Sequence, residues 1–149
     1  MILRFLLATT VAMFAHTAGA ASLLKPHEES RDILAVDASC QVQPALWQNG
    51  QLVIGIDAAP GCYLYRDKIQ LVAIEPAGYE LGKSDLPAGE AHHDEHFGDV
   101  RILRDRVLAR YTPKTAKRPQ KVRIRYQGCA ENLVCYPPQE RVLTVEAVR

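Results

Sequence analysis

Apolar residues between positions 33 and 148 come in short blocks that glycine and proline interrupt. Blocks of this length, bounded by turn residues, are typical of β-strands. No segment shows three or four turns of helical periodicity with capping residues at its ends, so helices are predicted to be few and short. The seven blocks that predict strands are Leu52–Ile56, Tyr63–Tyr65, Ile69–Ile74, Ile102–Leu103, Val107–Tyr111, Val122–Tyr126 and Val142–Val148.

The clearest alternation lies in Lys121–Tyr126, where apolar and basic residues strictly take turns. Val122 and Ile124 share one face of an extended chain, and Arg123 and Arg125 share the other. A period of two over six residues indicates an antiparallel strand with one buried face. Many short strands separated by turn signals predict an all-β fold, specifically an immunoglobulin-like β-sandwich.

The start of the chain has the layout of a secretory signal peptide, which we assign to residues 1–20. An apolar run over Phe5–Ala15 is followed by the small residues Ala18–Ala20, as signal peptidase sites require. Residues 21–32 are polar and lack periodicity, which predicts a flexible N-terminal arm. Residues 33–149 are predicted to form a single domain.

Charge and hydropathy exclude two classes of function. The sequence has 18 Lys and Arg against 17 Asp and Glu, and without Arg4 of the signal peptide both counts are 17. A nominally neutral domain is not expected to bind nucleic acid. No later stretch approaches the roughly 18 uninterrupted apolar residues of a membrane-spanning helix, so a soluble exported domain is predicted.

The four cysteines are Cys40, Cys62, Cys129 and Cys135. In an exported chain an even number predicts two disulfides, for which three pairings exist. A bridge between Cys129 and Cys135 would close a very small loop and so contribute only about 2 kcal/mol of stability. Such a bridge is a candidate for one that opens and closes, although its spacing fits a structural hairpin staple equally well.

The residues around this pair carry a family resemblance. Tyr126–Ala130 followed by Cys135–Pro138 resembles the active-site signature of the N-terminal periplasmic domain of the thiol:disulfide interchange protein DsbD. Gly61–Arg66 resembles the G-Y-Y-L-Y-R strand of that family, and His92–Gly98 followed by Arg104–Arg106 resembles its cap loop and next strand. The three blocks occur in the family's order, and the resemblance runs from about Ile33 to Val148, which is nearly all of the predicted domain.

The resemblance implies an immunoglobulin-like sandwich with a redox cysteine pair under a cap loop. It implies a protein-disulfide reductase activity in the periplasm that needs no cofactor and passes electrons to thioredoxin-like proteins and disulfide isomerases. Cys135 would form the mixed disulfide with a partner, and Cys129 would resolve it. Because the sequence stops at Arg149, we expect a stand-alone secreted chain that a separate membrane electron conduit supplies with electrons.

The resemblance also assigns the lining of the site. Carboxylates beside a thiol favour its protonated form and so should restrain its reactivity until a partner binds. The family has an aromatic ring at the position of His96, so either His96 or its neighbour Phe97 would cover the sulfur, with Gly98 as a hinge. The lining and cap residues are Tyr63, Tyr65, Asp94, Glu95, His96, Phe97 and Gly98.

Two departures from the family pattern concern the other cysteines. Cys62 stands where the family has a tyrosine, and Cys40 stands where an apolar residue is usual. A mutual structural disulfide explains both departures most simply. Two buried free thiols or a second redox couple are the alternatives.

Two rival functions compete with disulfide exchange. His92, His93 and His96 with the cysteines Cys129 and Cys135 could form a zinc or copper site, although histidines in a polar loop are more often solvated. A non-catalytic secreted β-sandwich could instead bind another protein through a loop or a strand edge. The arginines Arg101, Arg104 and Arg106 are predicted to lie on a charged outer strand face.

Overall fold

The computed structural model describes residues 33–148. The predicted signal peptide over residues 1–20 and the predicted arm over residues 21–32 lie outside the described residues. Within the described part, no helix has the length and apolar character that crossing a bilayer requires.

The described residues form twelve strands, one short α-helix and one 3-10 turn, as the predicted scarcity of helix requires. Five of the seven apolar blocks lie wholly within strands, and the other two extend one residue beyond a strand, at Ile69 and Val148, so the seven predicted strands are confirmed. The elements are α1 (Val36–Ser39), β1 (Cys40–Gln48), β2 (Gln51–Ala58), β3 (Cys62–Tyr65), the 3-10 turn (Arg66–Lys68), β4 (Gln70–Glu75), β5 (Ser84–Asp85), β6 (Glu90–Asp94), β7 (Gly98–Leu103), β8 (Arg106–Tyr111), β9 (Lys121–Tyr126), β10 (Gly128–Ala130), β11 (Val134–Cys135) and β12 (Gln139–Ala147).

The strands build two sheets. The larger sheet has the order β4-β9-β12-β1-β2-β8-β5, and the smaller has the order β11-β10-β3-β7-β6. Strand β9 pairs antiparallel with β4 and β12, as its alternation predicts. The pairing of β1 with β12 is parallel, with Ala45 opposite Val145.

One apolar core joins the two sheets. Leu52 and Ile54 of β2 pack in the same buried cluster as Leu64 of β3 and Leu103 of β7. Because side chains alternate across a strand, Tyr63 and Tyr65 on either side of Leu64 face away from this core. One face of the smaller sheet thus packs in the core of the sandwich, and the opposite face carries other side chains, among them Tyr63 and Tyr65.

That opposite face holds its own small cluster. Tyr63, Tyr65, Ile102 and Cys129 are buried together there, with Val100 packed against them. These residues come from strands β3, β7 and β10, which are neighbours in the smaller sheet. The candidate chemistry therefore lies on the outer face of the smaller sheet.

Candidate redox site

A disulfide joins Cys129 and Cys135 at the edge of the smaller sheet. The two residues lie directly opposite each other on β10 and β11, with an S–S distance of 2.10 Å. We call residues 128–135 the cysteine hairpin. Cys129 is 1% exposed whereas Cys135 is exposed, so an incoming thiolate can reach the sulfur of Cys135 far more readily.

Gly128 lets the cysteine hairpin approach strand β3 closely. Strand β10 pairs antiparallel with β3, which places Cys129 opposite Tyr63. A Cβ atom added at Gly128 would lie 2.6 Å from the carbonyl oxygen of Tyr63 and 2.9 Å from the sulfur of Cys40. Both distances are too short for real contacts, so the close strand pairing depends on glycine at this position.

The hydroxyl of Tyr65 lies beside both sulfurs. Its oxygen is 3.1 Å from the Cys129 sulfur and 3.5 Å from the Cys135 sulfur, and the hydroxyl donates a hydrogen bond to Oδ2 of Asp94. Since the single phenolic proton goes to Asp94, the oxygen faces the sulfurs with its lone pairs. When the bridge is open, the Cys129 thiol can donate its proton to this oxygen.

Asp94 links Tyr65 to the loop between β6 and β7. Its Oδ1 accepts the backbone N–H groups of His96 at 2.8 Å and of Phe97 at 2.9 Å. The hydrogen bond from Tyr65, reinforced by these two N–H groups, lowers the pKa of the Asp94 carboxyl. Burial, with the neighbouring Asp94 adding to it, raises the pKa of the Tyr65 hydroxyl, which stays protonated at neutral pH.

The loop over the site is a tight hairpin in which Asp94 pairs with Gly98 across the turn. Gly98 has φ of +68°, which favours glycine and suits a three-residue hairpin turn. The ring of Phe97 packs edge-on against Tyr65, with centroids 5.2 Å apart, and the Lys68 ammonium lies 4.5 Å from the Phe97 centroid. Both His96 and Phe97 are exposed, and the contact with Tyr65 shows that Phe97 is the ring that lies on it.

The ring of Tyr63 completes the aromatic surroundings. It packs edge-on against Tyr65 at 5.5 Å and lies 5.2 Å from the ring of His92. The guanidinium carbon of Arg104 lies 5.5 Å from its centroid, within the range of a cation–π contact. Tyr63 therefore sits between the tyrosine beside the sulfurs and a basic residue at the end of β7.

Arg104 is a residue whose place the sequence prediction missed. It donates two hydrogen bonds to Glu131 of the cysteine hairpin, from Nη2 to Oε1 at 2.7 Å and from Nη1 to Oε2 at 3.1 Å. The prediction of a charged outer face did not foresee this packing, because the Arg104 side chain is only 28% exposed and lies between Tyr63 and the hairpin. The resemblance of Arg104–Arg106 to a family block was the available signal, but it did not reveal the partner.

A groove of about 420 Å³ opens beside the exposed sulfur. Residues 92–96 form one wall and residues 130–135 form the other, with Cys135 among the lining residues. Glu95, whose side chain is exposed, lies on the first wall with Asp94. The groove is an open surface that a protein segment carrying a disulfide or dithiol could enter.

Comparison with known proteins identifies the family. The family described as "Thiol:disulfide interchange protein DsbD, N-terminal" matches residues 30–147. This chain belongs to the DsbD N-terminal family. DsbD of Pectobacterium atrosepticum is 44% identical over 101 residues, and DsbD 1 of Pseudomonas aeruginosa is 42% identical over 89 residues. These stretches cover 68% and 59% of this chain but only 17% and 15% of the two relatives.

Solved DsbD N-terminal domains share the fold. The reduced domain from Neisseria meningitidis superposes with a TM-score of 0.66 at 28% identity, covering 76% of this chain and 89% of that one. The complex of the DsbD N-terminal and PilB N-terminal domains from Neisseria meningitidis gives a TM-score of 0.64 at 27% identity, covering 76% and 87%. These matches and the two-sheet architecture confirm the predicted immunoglobulin-like sandwich.

The predicted disulfide between Cys40 and Cys62 is not formed. Both residues are buried free thiols, which was one of the alternatives for these departures from the DsbD pattern. Cys40 packs in the core between the sheets, whereas Cys62 packs with Ala130 and Tyr136 in a separate cluster behind the cysteine hairpin. Each sulfur thus fills an apolar space of its own, and burial raises the pKa of both thiols.

The histidines of the metal-site alternative point to different partners. His92 packs on Tyr63, and Nδ1 of His93 lies 2.8 Å from the carboxylate of Asp99. Within residues 33–148, no three His, Cys, Asp or Glu side chains are grouped so that they could hold one ion. The geometry of the DsbD-like site therefore gives no support to a zinc or copper centre in this region.

Proposed function

We propose that this chain is a periplasmic protein-disulfide reductase domain that relays two electrons by dithiol–disulfide exchange. The observation that carries the proposal is the asymmetry of the bridge, with the sulfur of Cys135 exposed and that of Cys129 buried against Tyr65. Membership of the DsbD N-terminal family supports the same chemistry. A structural staple would need no such difference in access between its two sulfurs.

The exchange proceeds in two balanced steps. In the reduced domain the thiolate of Cys135 attacks one sulfur of a partner disulfide, forming a mixed disulfide and releasing the other partner sulfur as a thiolate. The thiolate of Cys129 then attacks Cys135, which re-forms the Cys129–Cys135 bridge and releases the partner's second thiolate. The partner gains two electrons and two protons, and the domain loses the same number.

Tyr65 and Asp94 set the protonation of the buried thiol. The oxygen of Tyr65 lies 3.1 Å from the Cys129 sulfur, so it can accept the thiol proton in the reduced domain. The ionised carboxylate of Asp94 disfavours a second negative charge nearby. Cys129 is therefore held as a thiol until a docked partner changes these surroundings.

Phe97 covers Tyr65, the residue whose hydroxyl lies beside the buried Cys129 sulfur. Its ring lies on Tyr65, and the backbone of its loop is held by Asp94. We propose that a partner entering the groove beside the exposed Cys135 displaces Phe97 and so changes the contact of Tyr65 with the Cys129 sulfur.

The acceptors proposed are thioredoxin-like periplasmic proteins and disulfide isomerases, and the donor proposed is a membrane electron conduit or a thioredoxin-like protein. A DsbD N-terminal domain from Neisseria meningitidis forms a complex with a PilB N-terminal domain, which supports recognition of another protein domain by this fold. The groove beside Cys135 is the surface we assign to such a contact.

Trapping of partners tests the proposal. Cys129→Ser leaves Cys135 able to attack a partner but removes the resolving thiol, so mixed disulfides with an oxidised thioredoxin-like protein should accumulate on non-reducing gels. The matched variant Cys135→Ser should trap far less, because Cys129 is buried. Equal trapping by both variants would contradict the assigned roles. If thioredoxin-like proteins in their reduced form leave the wild-type bridge intact, the reductase function itself is contradicted.

A further inference from the structure

The cysteine hairpin is fastened to the rest of the sandwich by a side chain outside the redox machinery. Arg104 follows the last residue of β7, and both of its terminal nitrogens donate to the carboxylate of Glu131. Glu131 lies in the segment between the two cysteines, two residues after Cys129 and four before Cys135. The paired bonds therefore hold the loop whose ends carry the reactive sulfurs.

The guanidinium is itself fixed in place. Its Nε also lies 3.4 Å from Glu90 of β6, and its planar group faces the ring of Tyr63. A planar fork that binds a carboxylate with two parallel bonds restricts orientation more than a single point charge does. Arg104 thus connects the end of β7, strand β6 and the aromatic cluster with the cysteine hairpin.

The hairpin needs such a contact when its disulfide is open. Only two residue pairs join β10 and β11, Cys129 with Cys135 and Ala130 with Val134, which is a short ladder for a hairpin at a sheet edge. In the oxidised domain the disulfide holds Cys129 opposite Cys135 regardless of non-covalent side-chain contacts. In the reduced domain that constraint is lost, and non-covalent contacts decide how often the two thiols remain within reach.

We propose that Arg104 is a positioning residue that, through Glu131, keeps Cys129 and Cys135 together while the bridge is open. This inference rests on the proposed exchange function and adds a residue to it. Closer thiols form their bridge more readily, so the paired bonds favour the oxidised domain and speed the resolving attack of Cys129. Loss of the Arg104–Glu131 bonds should destabilise the oxidised hairpin more than the reduced one. The disulfide fixes the conformation of the oxidised hairpin, whereas the reduced hairpin can relax.

The thiol–disulfide equilibrium with glutathione tests the proposal. Two glutathione thiols reduce the bridge to two protein thiols and yield one glutathione disulfide, and alkylation with peptide mass spectrometry counts each cysteine. Arg104→Met keeps the apolar stem over Tyr63 and should make the bridge about two- to tenfold easier to reduce, as expected for a partly exposed charged pair. Glu131→Gln should give a similar change, and Arg104→Lys should restore only part of the wild-type value.

Arg106 offers a matched control. It makes the same kind of paired bonds, to Asp57 at 2.7 and 3.0 Å, but both residues lie outside the cysteine hairpin. Arg106→Met should leave the glutathione equilibrium unchanged even if it lowers stability. An unchanged equilibrium in Arg104→Met, with equal loss of unfolding free energy in the oxidised and reduced forms, would show a purely structural role and overturn the proposal.

The double variant Arg104→Met/Glu131→Gln tests whether the two side chains act as a pair. If the two side chains act through each other, the double variant should shift the equilibrium no further than either single variant. Additive shifts would overturn the proposed coupling. Failure of thioredoxin-like proteins to reduce the wild-type bridge would contradict the proposed function but would leave these glutathione measurements intact.

Discussion

The carboxylate of Asp94 binds Tyr65 with one oxygen and the backbone N–H groups of Phe97 and its neighbour His96 with the other. The group beside the buried sulfur and the loop over the site therefore share one side chain. Movement of the loop away from the site would break bonds to Asp94 and change what Tyr65 contacts. Access and protonation are linked through this carboxylate.

Replacing Asp94 should loosen the loop to an extent that depends on the new side chain. Asp94→Asn retains an oxygen that can accept the two backbone N–H groups, whereas Asp94→Ala retains none. Each lost hydrogen bond is worth about 1 kcal/mol, so Asp94→Ala should speed reduction of the Cys129–Cys135 bridge by dithiothreitol by roughly 5- to 30-fold. The rate of thiol appearance measures this, and a faster reduction of Asp94→Asn than of Asp94→Ala would contradict it.

Acid should destabilise the wild-type domain through the same carboxyl. The pKa of Asp94 is lowered in the folded state, mainly by the Tyr65 hydroxyl. Its contribution to stability is therefore present above the ordinary Asp pKa of about 3.9 and lost as the pH falls through the lower folded value. Denaturant unfolding from pH 6 to pH 2 should show a steeper loss for wild type than for Asp94→Asn. Parallel curves would show that Asp94 contributes nothing to this pH dependence.

Phe97 and His96 should differ in their effect on access. The Phe97 ring, although 41% exposed, contacts Tyr65 and Lys68, whereas His96 contacts Asp94 through its backbone N–H. Phe97→Ala should speed reduction of the bridge by a small dithiol several-fold, because an aromatic pair contributes about 0.5–1.5 kcal/mol. His96→Ala should react at nearly the wild-type rate. The idea of a covering ring fails if both variants react like wild type.

Gly128→Ala should destabilise the domain by about 1–3 kcal/mol, as overpacking does in a tight site. The added methyl group would lie 2.6 Å from the carbonyl oxygen of Tyr63 and 2.9 Å from the sulfur of Cys40. Adding Cys40→Ala removes the second contact but not the first. The double variant should therefore remain less stable than Cys40→Ala alone, by nearly as much as Gly128→Ala is less stable than wild type. A double variant as stable as Cys40→Ala alone would locate the clash at the sulfur.

Cys40 and Cys62 should resist alkylation in the folded protein. Both thiols are buried, and burial raises their pKa values, so little thiolate is present at neutral pH. After reduction of the bridge, iodoacetamide at pH 8 should modify Cys135 first and should reach Cys40 and Cys62 only as the domain unfolds. Peptide mass spectrometry over time checks the order. Rapid native labelling of Cys40 would contradict its burial.

The sequence predicted the strands with continuous apolar blocks and missed those without. Strand β1 contains Pro44, which is rare inside strands, and its apolar run Ala45–Trp47 follows only after this proline. Strands β10 and β11 have three and two residues, too few to show a period. Pairing with neighbours that are distant in the chain stabilises these elements, and local patterns do not report such pairing.

The candidate site was predicted through its residue types but not through its contacts. Spacing was compatible with a Cys129–Cys135 bridge that is either reactive or a structural staple, and the structure has the bridge. The Arg104–Glu131 pair joins residues 27 positions apart, and charge alone did not distinguish Arg104 from its exposed neighbours. The prediction for Cys40 and Cys62 failed because packing in separate clusters, rather than cysteine number, decides whether two sulfurs meet.

The parallel contact between β1 and β12 has a consequence for how the chain folds. Ala45 and Val145 are paired although they lie 100 positions apart in the sequence, and β12 is the strand that connects β9 and β4 with the rest of the larger sheet. Contacts of such high sequence separation form late and slow folding. Strands β4 and β9 can therefore join β1, β2, β8 and β5 in one sheet only after residues 139–147 have docked. Until that strand docks, all four cysteines belong to an incomplete domain, and oxidation during this interval can join sulfurs that the finished fold keeps apart.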